Sequence, residues 1–332
     1  KKYSVPVASA DKMNAVLSLE DKIADDTVWC GTFNLIWNDL KNELAKKDIE
    51  FTPQLDVVRN LNKGTFNTEC LSEDSYYKVY GKPTIELKKQ IEKEIKRKFN
   101  ETSDILDDFN WNESGDKDYF LYSMLKKEFE FPKVFDRLEK GKFKDWENVK
   151  YFGIKKKTSE KVREQVKVLY YNSKEDFAIK LLTKSNDEVI ISRGNKANTF
   201  GKIYAEIKEN NENFKGSKNI EEDEIVKIPN IDFKLKKEFN EIEAKPFLFA
   251  SGEEYVIEKA VQTIEFSLDE KGGRVKSEAG MTNKTTALLP DLEPREFLVN
   301  DTFCIFLKEK DKELPYFAAK ISDITQVQIV EN

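Results

Sequence analysis

Three cysteines, Cys30, Cys70 and Cys304, and a few adjacent carboxylate pairs are the side chains whose types could support covalent or acid–base chemistry. None has the company that such chemistry needs. The 332 residues include no histidine, which removes Ser-His-Asp and Cys-His catalysis and histidine-ligated zinc. The cysteines are far apart and form no CxxC pattern. They read as small buried hydrophobes or as one pair, not as a disulfide framework. Asp107-Asp108 and Glu221-Glu222 read as solvated surface. No Gly-rich phosphate loop, paired-carboxylate site or metal-ligand spacing stands out. The sequence therefore predicts no catalytic residue, no metal and no cofactor.

What remains is a stretch whose pattern concerns backbone pairing. Thr263-Ile264-Glu265-Phe266-Ser267-Leu268 alternates strictly, with Ile264, Phe266 and Leu268 on one face. Asp269-Glu270-Lys271-Gly272-Gly273 follows, and its glycines permit a sharp change of direction. Then Gly273, Val275, Ser277, Ala279 and Met281 alternate with Arg274, Lys276, Glu278 and Gly280, one set small or apolar and the other mostly charged. A Thr-rich tip from Thr282 to Leu289 precedes a second strand-like run, Phe297 to Leu307. A polar segment this long inside a compact domain is either functional or an edge hairpin with a loose tip.

The elements that must position this stretch form a soluble globular chain. Hydrophobic residues make up 39% and charged residues 36%, with both signs interspersed and a net charge of −6. Lysine-rich stretches such as Lys155 to Lys161 are offset by acidic ones, so no basic face for nucleic acid is expected. No apolar run reaches the roughly 18 residues of a membrane span. The chain begins Lys1-Lys2-Tyr3, which suits removal of an export signal and an extracellular or cell-surface location; a trimmed, cytoplasmic chain is the other reading.

Residues 1–24 read as a loose arm with a short helix. Trp29, Phe33, Ile36, Trp37, Leu40 and Leu44 mark a helical stripe over Thr27 to Leu44, capped by Asp26 or Thr27. Pro83 opens a second helix with a stripe of Leu87, Ile91, Ile95 and Phe99. Tyr119 to Leu125 is apolar enough for a strand buried on both faces. Lys167 to Tyr171, Phe177 to Leu182 and Glu188 to Ser192 follow as strands, with a turn at Asn186-Asp187. Thr199 to Ile207 is a short helix and Asn210 to Asp223 a polar loop.

Three segments in order carry a family resemblance. Gln262-Thr263-Ile264-Glu265-Phe266-Ser267-Leu268-Asp269-Glu270-Lys271-Gly272 resembles the strand and hinge leading into the reactive-centre loop of serpins. Glu296 to Leu307 is similar to the segment after that loop. Pro315-Tyr316-Phe317-Ala318-Ala319-Lys320-Ile321 resembles the last serpin strand. Ile225 to Phe233 resembles a strand pair broken by proline, with Pro229 at the break. The resemblance covers most of the chain and is best after Tyr119. Before residue 83 it is poor, and the Ser-Pro-rich helix start that lies under the main sheet is not found. Pro53 to Val58 is its nearest counterpart.

The resemblance implies a divergent, bacterial-type serpin-like protein: one α+β domain over 1–332, a large mixed central sheet, two smaller sheets, flanking helices and an exposed loop at 271–295. It implies a monomer that traps a serine or cysteine protease. The cleaved loop would insert into the main sheet of a metastable fold. The hinge would be Glu270, Lys271, Gly272, Gly273, Arg274, Val275, Ser277 and Ala279. The cleaved bond would fall among Lys284, Thr285, Thr286, Ala287, Leu288 and Leu289. Lys284 suits a trypsin-like protease, and Leu288 or Leu289 a chymotrypsin- or elastase-like one. Arg274 and Lys276 depart from the family hinge, where Thr or Ser, Glu and alanines are usual, so a non-inhibitory binding or structural module is the alternative. In the register that turns Gly273, Val275, Ser277, Ala279 and Met281 inward, no charge is buried; one buried unpaired lysine would cost several kcal/mol.

Overall fold

A computed structural model of the chain describes residues 8–111, 115–272 and 293–331. Along the chain, strands β1 (Asn14–Ala15) and β2 (Thr27–Cys30) lead into helix α1 (Thr32–Asp39) and helix α2 (Asp56–Asn62). Strand β3 (Tyr76–Gly81), helix α3 (Ile85–Phe99) and strand β4 (Asp118–Lys127) come next. Short strands β5 (Asp136–Arg137), β6 (Gly141–Phe143), β7 (Trp146–Val149) and β8 (Tyr151–Ile154) precede the one-turn helix α4 (Glu160–Arg163). Then β9 (Val166–Ser173), β10 (Asp176–Leu182) and β11 (Asp187–Arg193) are followed by helix α5 (Phe200–Asn213). The remaining strands are β12 (Ile225–Pro229), β13 (Ile231–Glu238), β14 (Pro246–Leu248), β15 (Glu254–Leu268), β16 (Glu296–Leu298), β17 (Phe303–Glu309) and β18 (Phe317–Ile321).

These strands form three sheets and one small hairpin, an α+β architecture of the kind the resemblance implies. The sheet richest in strands runs β1-β2-β18-β17-β11-β10-β9, and a four-stranded sheet runs β16-β12-β8-β5. The sheet from which the loop departs runs β13-β15-β4-β3, with β14 paired to the first part of β15; β6 and β7 pair alone. In this last sheet β15 and β4 are parallel, while β13 and β3 flank them antiparallel.

Alternation fixes which side chains meet. On β15, Ile264, Phe266 and Leu268 are buried, as the sequence predicts. Phe266 stacks on Phe233 of β13, and Phe317 of β18 meets both rings edge-on at 5.0 and 5.1 Å, tying two sheets together. The opposite face of the same sheet carries Phe120, Tyr122, Met124 and Val261. These pack under the α3 stripe Leu87, Ile91 and Ile95.

Several boundaries differ from expectation. Residues 8–24 are not a loose arm: Ala10, Met13, Leu17 and Leu19 are buried, and β1 pairs with β2. The expected helix over Thr27 to Leu44 begins at Thr32, because Thr27–Cys30 enters the seven-stranded sheet. Trp29 kept the helical spacing only because a strand residue can be as buried as a helix residue. Gly31 makes the junction, since a Cβ there would overlap the Phe66 ring. Neither proposed cap serves: Asp26 Oδ1 accepts from the N–H groups of Ser322 and Asp323, and Thr27 Oγ1 donates to the Ala24 carbonyl. Helix α3 starts two residues after Pro83, with Thr84 Oγ1 accepting from Leu87 N–H at 3.2 Å. Helix α5 is capped by Thr199 and runs on to Asn213, taking the first residues of the expected polar loop. The run Phe297 to Leu307 is two strands, β16 and β17. Cys30, Cys70 and Cys304 are all free and buried, so no cysteine pair forms.

Candidate functional site

Residues 269–272 follow β15 and residues 293–295 precede β16; they are the two feet of the stretch that the sequence reading takes as a loop. Of the hinge residues expected from the sequence, Glu270, Lys271 and Gly272 are described. Gly273, Arg274, Val275, Ser277 and Ala279 lie outside the described residues. So do Lys284, Thr285, Thr286, Ala287, Leu288 and Leu289.

The departing foot is tied down by backbone and charge. Phe135 N–H donates to the Glu270 carbonyl at 2.9 Å and Phe131 N–H to that of Lys271 at 3.4 Å. Asp269 Oδ1 accepts from the N–H groups of Lys271 and Gly272 at 2.8 and 3.0 Å, closing an Asx turn. Gly272 has φ +53°, and a Cβ there would lie 2.7 Å from the Phe131 ring, so a larger residue would be strained chiefly by that contact. Glu270 accepts from Arg137 of β5 at 2.9 and 3.3 Å. Burial pushes the Glu270 carboxyl up, but the Arg137 hydrogen bonds, a backbone N–H and the charges of Arg137 and Lys271 together leave its pKa below the ordinary value.

The returning foot is held more firmly. The Arg295 guanidinium, 15% exposed, donates to Glu224 at 2.6 and 2.9 Å and to the carbonyls of Ser217 and Asn219 at 2.8 Å. It also lies over the Tyr171 and Phe297 rings. Burial raises the Glu224 pKa, yet hydrogen bonds from Arg295 and from the Glu221 N–H bring it below the ordinary carboxylate value. Nothing in the local sequence signals this clamp; its partners stand 71 to 78 residues apart.

The departing foot continues the parallel pair β15·β4. Ten registered residue pairs join β15 to β4, from Val256↔Asp118 to Phe266↔Lys127. At its middle, Gln262 faces Ser123. Gln262 Nε2 donates to Thr32 Oγ1 at 3.0 Å, with the Cys30 carbonyl at 3.3 Å and Ser123 Oγ at 3.4 Å. Thr32 Oγ1 donates to Ser123 Oγ at 3.1 Å. All of these groups are buried. The first turn of α1 thus lies beneath the pair. This corrects the expectation that Pro53 to Val58 holds that place: the helix there, α2, packs beside α1, and Trp37 Nε1 donates to Asn62 at its end.

At the end near the feet the pair opens onto a cleft of about 690 Å³, lined by Lys127, Glu128, Phe129, Phe266, Ser267 and Gly272 among others. Lys127 is itself buried; its ammonium pairs with Asp187 at 2.8 Å, and Tyr316 OH donates to the same carboxylate oxygen at 2.9 Å. This staples the end of β4 to the seven-stranded sheet. Among the described residues no group of carboxylates or thiols could hold a metal ion, and no helix is long and apolar enough to cross a membrane.

No protein-family model matches the chain, and no curated protein matches it by sequence. Among solved structures, the chain is similar to Serpin48 of the insect Tenebrio molitor at 14% identity and a TM-score of 0.45, over 71% of this chain and 64% of that one. It is similar to human thyroxine-binding globulin at 10% identity and 0.46, over 73% and 65%. It is also similar to the mouse protein-Z dependent protease inhibitor at 12% identity and 0.49, over 83% and 71%. The chain thus spans less than two thirds of the length of the first two.

Proposed function

We propose that this chain is a serpin-like inhibitor that traps a serine or cysteine protease through its 271–295 loop. The carrying observation is the parallel ladder β15·β4, with the loop leaving from the end of β15. A strand that turned back from that end between β15 and β4 would be antiparallel to both. One slanted parallel interface would become two antiparallel ones, which pair slightly better per residue. The cleft at the end of the ladder is where such a strand would start. The sequence alternation from Gly273 to Met281 suits a strand whose inward side chains are small. In this reading the protease nucleophile attacks a loop carbonyl, the peptide bond breaks and the acyl-enzyme is carried away as the freed strand enters the sheet.

The departures Arg274 and Lys276 favour a second reading, a binding or structural module that keeps the fold. Thermal unfolding of the intact protein against protein nicked in the loop by a trace of protease separates the two. A large rise in melting temperature after nicking supports insertion. No rise, with no covalent adduct across a protease panel, would discard inhibition and leave the module.

A further inference from the structure

A sheet edge leaves backbone groups without partners, and folded chains usually cover such edges. This chain covers two of its long ones. Along β13, Ala10 N–H donates to the Lys234 carbonyl at 2.9 Å and Lys236 N–H to Asp11 Oδ1 at 2.8 Å. Along β9, Val168 N–H donates to the Lys218 carbonyl at 2.9 Å. The outer edge of β3 is different. Tyr76 N–H turns back to the Glu73 carbonyl, and the Lys98 ammonium lies over the Tyr76 ring. From residue 77 to 81, the only backbone hydrogen bonds among the described residues are those of the β4 ladder. Every second residue there points an N–H and a carbonyl outward.

The side chains of this stretch are half-buried. Tyr77 and Val79 turn to the α3 face and pack against the cluster of Leu87, Ile91 and Ile95. Lys78 and Tyr80 turn to the α1 face, where Lys78 pairs with Asp39 and Tyr80 OH donates to Glu43 at 2.9 Å. Tyrosine and valine favour strands, and the one charge of the stretch is drawn down to Asp39 instead of guarding the edge.

The stretch is complementary to itself. A two-fold axis perpendicular to the sheet through Val79 would set two copies of β3 antiparallel. Val79 would then face Val79, Tyr77 would face Gly81, and Lys78 would face Tyr80, each pair on one face of the sheet. A tyrosine ring thus meets a residue with no side chain. A lysine stem meets a ring whose hydroxyl holds the exposed carboxylate of Glu43. Centred on Lys78 instead, the pairing would oppose two lysines. The covering helices leave room. Helix α3 packs over Phe120, Tyr122 and Met124 of β4. Strand β4 and its counterpart would stand three strand spacings apart, about 14 Å, beyond the roughly 8–10 Å at which helices pack. On the other face, Asn42 and Glu43, which follow α1, are exposed.

We propose that β3 is the interface of a homodimer, in which two copies of the chain pair antiparallel through residues 77–81 and join their β13-β15-β4-β3 sheets into one. This takes the place of the monomer that the resemblance implies. It is independent of loop insertion, because the association needs neither cleavage nor a protease.

Sedimentation velocity of the intact protein over a dilution series tests this, and a monomer that becomes a dimer as concentration rises is expected. Hydrogen exchange should slow with concentration at alternate amides of residues 77–81. Val79→Cys should give a disulfide-linked dimer under mild oxidation, because residues directly opposite hold their Cβ atoms about 4.5–5.5 Å apart. Gly81→Cys should not, since this register sets the two copies of residue 81 apart. The native cysteines are buried and leave the result readable. Glu43→Lys, an exposed change that the two-fold repeats, should weaken the dimer about tenfold at an unchanged melting temperature. A monomer at every concentration overturns the proposal. So does a dimer that fails to link through Val79→Cys, or one that Glu43→Lys leaves as tight as before.

Discussion

Replacing Arg295 by methionine removes the clamp at the returning foot while keeping most of the apolar stem. Glu224, with its side chain 5% exposed, would be left with a charge and only backbone N–H donors. Breaking a buried, hydrogen-bonded ion pair from one side costs about 3–5 kcal/mol. For 332 residues the unfolding entropy is about 0.7 kcal/mol per degree, so the melting temperature should fall by about 4–7 °C. The pH dependence has a definite sign. In the native protein Glu224 titrates below its ordinary value of 4.5, so its stabilisation is present above that pH and is lost as pH falls through the lowered pKa. In Arg295→Met the burial that raises the Glu224 pKa is no longer opposed by the guanidinium, so the deficit seen at pH 7 should shrink toward pH 4. Urea unfolding of the native protein and the variant at both pH values reads this. Adding Glu224→Leu to the variant should recover most of the loss, because no charge is then buried alone. A loss under about 1 kcal/mol, or a double variant no better than the single one, would refute the clamp.

Three further outcomes follow from the same geometry. Gly272→Ala should cost about 1–3 kcal/mol in urea unfolding, from a left-handed backbone and contact with Phe131; no loss would mean the departing foot is not held as described. Gln262→Leu should lower the melting temperature of the intact protein by about 1–4 °C by removing the donor shared by Thr32, Ser123 and the Cys30 carbonyl, although Thr32 still donates to Ser123; a more stable variant would contradict the polar seam. The Glu243 carboxyl is pushed up to about 8 by burial and by the neighbouring Glu238, against the Ala260 N–H and Lys259. A raised carboxyl contributes stability fully present below the unfolded value of 4.5 and lost as pH rises through 8. Glu243→Gln should therefore gain on the native protein across that window in pH-dependent denaturation, and parallel profiles would dismiss the shift.

What could be read from the sequence was whatever has a short period. The alternation of Ile264, Phe266 and Leu268 and the α3 stripe survive into the structure because each is decided within a few residues. The strand-to-helix junction at Gly31 was not legible, since Trp29 is buried in a sheet yet falls on the helical spacing. The feet of the loop divide the same way. Glu270 and Gly272 stand in a recognisable motif, but Arg137 comes from 133 residues away and Glu224 from 71. Such partners are set by sheet order, which no local pattern encodes. The same holds for Thr32, Ser123 and Gln262, drawn from α1, β4 and β15 and joined only when a helix end meets two strands.

That junction bears directly on whether the sheet can open. A ladder closed along its middle by leucines would forfeit about 1.5–3 kcal/mol for each side chain pulled from its neighbours. Here the middle is a glutamine and a serine, and a hydrogen bond contributes only about 0.5–1.5 kcal/mol net. Gln262 Nε2 has two hydrogens and three acceptors, at 3.0, 3.3 and 3.4 Å, so at least one acceptor is always served poorly. Hydroxyls can rotate toward a new strand's N–H and C=O groups as readily as toward each other. The firm attachments lie to either side: β4 is fixed by Lys127 to Asp187, and the returning foot by Arg295 to Glu224. The insertion proposed above would therefore exchange this polar middle for new partners, while the apolar pairs around it, such as Ile264 with Leu125, would have to separate as well.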